Sequence, residues 1–168
     1  PDGRQAAGLP VDQSKPLVLQ SYLPSETAPT LHGRAFPEGL IPYLAQDVLF
    51  TLDRLFDLNR DDPNGILTGR LDLERAGTFG VSLGGIVAAE SCRLAPQLRA
   101  CLFMDAPMPV GVVRDGLQQP TMIMTRDAET MRLERERAGG WPEYEIDIHQ
   151  TSMREVYDRL PGEGYYLQ

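Results

Sequence analysis

The chain has 168 residues, of which 42% are hydrophobic and 24% charged, a balance that fits one globular domain across 1–168 and excludes disordered and fibrous classes. A formal net charge of −8 without any basic run excludes a nucleic-acid partner or an anionic membrane surface and leaves a small-molecule ligand as the expectation. No run of about 18 apolar residues predicts a transmembrane segment.

The sequence opens PDGR, without an initiator methionine, which leaves room for a removed amino-terminal segment and leaves the compartment open. Residues 1–40 are rich in Pro, Gly, Ser and Thr and read as mostly loop, with only LVLQSYL at 17–23 of strand character. From Pro42 onward, Leu44, Val48, Leu52, Leu55 and Phe56 recur at helical spacing, and DLNRDDPNG at 57–65 ends the pattern. The spacing predicts an amphipathic helix of about four turns, with Pro42 in its first turn.

Three short apolar runs follow: AGTFGV at 76–81, ACLFMDA at 100–106 and PTMIMT at 120–125. Their continuous apolar character predicts strands covered on both faces, hence a parallel sheet. Residues 84–94 carry Gly84, Gly85, Ala88 and Ala89, which suit a helix packed closely on that sheet, so the order is that of a βαβ unit. Cys92 and Cys101 read as two buried free thiols, since no metal-ligand or redox spacing is present. After 125, ETMRLERER reads as a polar helix. Thr151 or Ser152 is expected to cap a last helix carrying Met153, Val156, Tyr157 and Leu160, with Ser152 and Glu155 as a capping box. PGEG breaks that helix and GYYLQ begins a final strand.

Between the first strand and its helix stands GVSLGG at 80–85. Strand before and helix after give the G-x-S-x-G pattern its mechanical meaning: a sharp turn pushes the Ser82 hydroxyl out of the sheet as a nucleophile. Gly80 and Gly84 read as the positions where a side chain collides. The helix amino terminus favours developing negative charge, and the backbone N–H of Leu83 is the expected oxyanion donor. An acid is needed to orient a histidine base. Two aspartates end strands on the serine's edge, Asp105 after ACLFM and Asp127 after TMIMTR. Asp105 lies between apolar stretches where an unpaired carboxylate is costly; Asp127 leads into the polar helix and fits a helix cap.

GRLDLERAGTFGVSLGG and LRACLFMDAPMP resemble the platelet-activating-factor-acetylhydrolase-like branch of the α/β-hydrolase serine esterases, over residues 43–168. The resemblance implies an α/β-hydrolase fold, a mostly parallel sheet flanked by helices. It implies metal-independent, cofactor-free hydrolysis of short or oxidised acyl esters, phospholipid-like ones included, through an acyl-enzyme. It also places the acid after the strand that follows the nucleophile, at Asp105. The base of that fold sits on the loop after the final strand. The two histidines present are His32, in TLHGR, and His149, in EIDIHQTSM. His149 precedes the last helix, so a histidine beyond Gln168 is expected as the base, with His149 the runner-up and His32 an ordinary loop residue. Residues 1–40 do not supply the strands expected before the long helix, so the chain reads as the nucleophile-bearing portion, and an unpaired strand edge implies self-association. Acyl transfer, or cleavage of a polyester or amide, is open to the same machinery. The alternative of a different class is a non-catalytic binding module, a hydrolase scaffold that keeps a pocket and lacks its base.

Overall fold

The computed structural model describes residues 30–31, 34–35 and 40–168. Strands β1 (Thr30–Leu31) and β2 (Arg34–Ala35) form an antiparallel ladder within the segment expected to be mostly loop. The LVLQSYL run and His32 lie outside the described residues.

Helix α1 (Leu40–Arg60) buries Ile41, Ala45 and Leu52. Phe56, expected on the apolar face, is instead exposed. The chain leaves this helix through a turn built on Asp62, whose carboxylate accepts the backbone N–H groups of Asn64, Ile66 and Leu67 at 2.9–3.0 Å. A short 3-10 turn over Leu73–Arg75 then delivers the chain to the sheet.

The four strands of that sheet are β3 (Gly77–Val81), β4 (Ala100–Met104), β5 (Thr121–Met124) and β6 (Gly164–Leu167), in that order and all parallel. Helices α2 (Leu83–Leu94), α3 (Val110–Asp115), α4 (Ala128–Ala138) and α5 (Glu143–Asp158) fill the crossovers. Cys101, Phe103 and Ile123 point to one face and pack with Ala88, Ala89, Val112, Met153 and Val156, all buried. Ala88 and Ala89 have no bulk to hold α2 away from the strands, which is why this layer closes tightly. On the opposite face Phe79, Val81, Met124, Tyr165 and Leu167 are exposed. Among the described residues the expectation of two covered faces therefore holds for one.

Two further expectations are corrected. Cys92 and Cys101 are not free thiols but a disulfide joining α2 to β4, with Cα atoms 6.6 Å apart. Their separation of nine residues matches no motif, because the two sulfurs meet only once α2 folds back over β4. Closing so short a loop in the unfolded chain is worth about 2.5 kcal/mol. Urea unfolding with and without reductant should show a loss of that size, and identical midpoints would mean that the bond contributes nothing. The last helix begins at Glu143 behind Pro142 rather than at Thr151 or Ser152. Ile146, His149, Met153 and Val156 are buried at helical spacing along it, so Ser152 is an interior residue whose hydroxyl accepts the N–H of Met108 at 3.0 Å. Burial of that stripe against the sheet outweighs any capping-box preference. GYYLQ is a strand, as expected.

Candidate active site

Ser82 stands between the last residue of β3 and the first of α2, with φ 55° and ψ −126°. A non-glycine residue in this region carries strain of about 1–3 kcal/mol that only a well-determined turn sustains. The turn is determined by what lies under it. A Cβ at Gly80 would fall 2.2 Å from the Gly84 carbonyl oxygen and 2.6 Å from the Gly85 nitrogen, both backbone atoms that cannot yield. A Cβ at Gly85 would meet the Ala106 Cβ at 2.6 Å. At Gly84, by contrast, a Cβ meets nothing within 4 Å, so the second tight position is Gly85 and not Gly84 as the sequence pattern implied. Gly80→Ala is accordingly expected to cost about 3 kcal/mol or more in urea unfolding. Gly84→Ala should leave stability unchanged or raise it by up to about 1 kcal/mol, since alanine suits a helix better than glycine. The reverse ranking would mean that the turn is not held by backbone contact.

The strand register sets the rest of the site. Val81, Met104, Met124 and Leu167 lie side by side across the sheet. The next position along each strand gives a row at the carboxyl edge: Ser82, Asp105, Thr125 and Gln168. Backbone hydrogen bonds continue into this row, from Ser82 N–H to Met104 at 2.8 Å, Asp105 N–H to Met124 at 2.7 Å and Thr125 N–H to Leu167 at 2.9 Å. Ser82 and Asp105 are thus neighbours on adjacent strands, and both have positive φ, 55° and 52°. The Ser82 hydroxyl is exposed and makes no cap hydrogen bond to α2. Beside it, the first N–H groups of α2, that of Leu83 foremost, have no intrahelical acceptor, while the Leu83 side chain packs on Ile41, Ile86 and Ala106.

Asp105 sits in a polar cradle that sequence reasoning did not assemble. The Arg126 guanidinium pairs with Oδ2 at 2.5 Å. Oδ1 accepts the Arg126 backbone N–H at 3.3 Å and lies 3.3 Å from His149 Nε2 and 3.5 Å from Thr125 Oγ1. Burial works against ionisation of this carboxyl, but hydrogen bonds from His149 and Arg126, with the Arg126 charge, hold it well below the usual carboxylate range. Thr125 and Arg126 directly follow β5, and that position at the strand's carboxyl end was the signal available to find them.

His149 is not a helix-flanking residue but an interior one of α5, with only 2% of its surface exposed. The fold therefore joins Asp105 to the runner-up histidine, across 44 residues of sequence. The contact does not extend to the serine. Nε2 is taken up by Thr125 Oγ1 at 3.1 Å and by Asp105, and Nδ1 is buried without a partner. The Asp105 carboxylate beside Nε2 favours the tautomer with its proton on Nε2, directed toward Thr125 and Asp105. Asp127 stands apart from this cluster: its carboxylate accepts the Thr130 N–H at 2.6 Å and caps α4. No group of three or more His, Cys, Asp or Glu side chains able to hold a metal ion occurs among the described residues.

The chain is similar to the solved structure of a ferulic acid esterase from Streptomyces cinnamoneus, with a TM-score of 0.53 and 22% sequence identity. The fold is an α/β-hydrolase fold. The similarity covers 83% of this chain and 38% of that one, so the chain spans well under half of that hydrolase-fold protein. No family model matches the chain, and no curated protein does. No helix among the described residues is long and apolar enough to cross a membrane.

Proposed function

We propose that the chain carries the nucleophile and the acid of a serine hydrolase acting on carboxylic esters. The observation that carries this reading is the edge row, in which Ser82, strained and exposed at the head of α2, neighbours an ionised Asp105. The Ser82 hydroxyl adds to the ester carbonyl carbon, its proton passes to a histidine, and the oxyanion is held by the Leu83 N–H and the α2 amino terminus. The alcohol leaves with that proton, and water then releases the acyl group by the same route. Asp105 orients the histidine and stabilises its charged form. The reading assigns the base to a histidine that follows β6, because that strand runs parallel to the others and its carboxyl end opens onto the same edge. His149 is not assigned this step, since its Nε2 is taken up by Thr125 and Asp105 and its Nδ1 is buried without a partner.

Short or oxidised acyl esters, as in the platelet-activating-factor-acetylhydrolase-like branch, are the proposed substrates. Support comes from the residues around Ser82 and Asp105, and the ferulic acid esterase of like fold is consistent with an ester carbonyl as the target. The test is metal-free hydrolysis of p-nitrophenyl esters of increasing chain length, together with the site labelled by a serine-directed organophosphate. The binding-module alternative is favoured by one observation: among the described residues no imidazole nitrogen contacts the Ser82 hydroxyl. A full-length protein that binds esters and neither turns them over nor takes the label would establish that alternative.

A further inference from the structure

We propose that Arg126 is a positioning residue for Asp105, fixing the plane of its carboxylate at the sheet edge and sharing its negative charge. The proposal rests on the reading of Asp105 as the acid of a serine hydrolase.

One residue grips both oxygens. The Arg126 guanidinium takes Oδ2 at 2.5 Å and its backbone N–H takes Oδ1 at 3.3 Å. A carboxylate held at two points by one neighbour cannot rotate about its last bond. The other contacts to Oδ1, from His149 at 3.3 Å and Thr125 at 3.5 Å, are long, so the short, charged contact is the one that decides the rotamer. The backbone offers no slack either, since Asp105 is fixed at φ 52°. The guanidinium is itself held from the far side, where it pairs with Glu134 of α4, and its side chain is two-thirds covered. Asp105 is therefore faced by two titratable or charged groups, Arg126 from the β5–α4 loop and His149 from α5, with Glu134 one step further through Arg126.

The consequence has a sign. Asp105 lends negative potential to the histidine that it orients, and Arg126 offsets part of it. Without the guanidinium that histidine keeps its proton to higher pH, and the acid limb of kcat/KM moves upward. The test uses the full-length protein and p-nitrophenyl acetate. In Arg126→Met the limb should rise by about half to one pH unit with KM within about twofold, and Arg126→Lys should restore most of the shift. Arg126→Gln serves if the Met variant does not fold. A limb that stays in place or moves down, or a lysine variant that behaves like methionine, overturns the proposal. Asp105→Asn separates the two levels. If its turnover is crippled while the Arg126→Met limb is unmoved, only the proposal fails. If its turnover is that of the parent, the reading of Asp105 as the acid fails and the proposal falls with it.

Discussion

Replacing Ser82 by alanine is expected to lower ester turnover by about four to six orders of magnitude, the loss seen when a nucleophile acts as one unit with its base. The expectation follows from where the hydroxyl is held. At φ 55° the side chain leaves the sheet edge toward solvent instead of folding back onto α2, and it lies beside the N–H groups that an oxyanion needs. The close contacts beneath it involve Gly80, Gly84, Gly85 and Ala106 and do not include the Ser82 oxygen, so the alanine protein should melt within about 1 kcal/mol of the parent. A residual rate from the oxyanion donors alone should persist. The measurement is steady-state turnover of p-nitrophenyl acetate beside peptide mapping of the organophosphate adduct. Activity retained in Ser82→Ala, or label recovered on another residue, would remove Ser82 from the chemistry.

Asp105→Asn is expected to cost on the order of a thousandfold or more in turnover, and Asp127→Asn less than about threefold. The two aspartates end neighbouring strands but have different work. Asp127 accepts one backbone N–H at the head of α4, a task that asparagine performs nearly as well. Asp105 faces a guanidinium, an imidazole N–H and a backbone N–H. An amide there places an NH2 group against donors and, on the proposed reading of Asp105 as the acid, removes the charge that holds the base in one tautomer. Folding must be checked by circular dichroism, because the same ion pair supports stability. The folded carboxyl titrates below its unfolded value of about 3.9, so its contribution is complete above that pH and is lost as the pH falls through the depressed value. Parent protein should show this acid loss of stability, and Asp105→Asn should flatten it. Equal catalytic losses in the two variants, or the larger loss at Asp127, would move the acid to α4.

The local elements were legible in the sequence because each rests on a local signal. Leu44, Val48 and Leu52 recur at helical spacing; AGTFGV, ACLFMDA and PTMIMT are apolar runs bounded by turns; and GVSLGG joins strand to helix in a way few other patterns do. That was enough to place Ser82 at the turn between strand and helix and Asp105 at the end of the next strand. The start of α5 was misplaced because Ser152 offers a plausible cap, whereas the deciding force is burial of Ile146, His149 and Met153 along one stripe.

What only the tertiary structure decided are the pairings across sequence distance. Strand register puts Ser82, Asp105 and Thr125 in one row, and no local pattern encodes register. Crossover packing brings Cys92 to Cys101, and shape decides that Gly85 rather than Gly84 must lack a side chain. The closure of α5 over β5 carries His149 to Asp105 and turns its second nitrogen into the core. Such contacts arise from how helices settle on a twisted sheet, a sum of many packing terms of which a single residue's identity carries only a small part. Sequence alone therefore pointed to Ser82 and Asp105 at the carboxyl edge, and the packed fold determined that Thr125, Arg126 and His149 join Asp105 there while Asp127 caps α4.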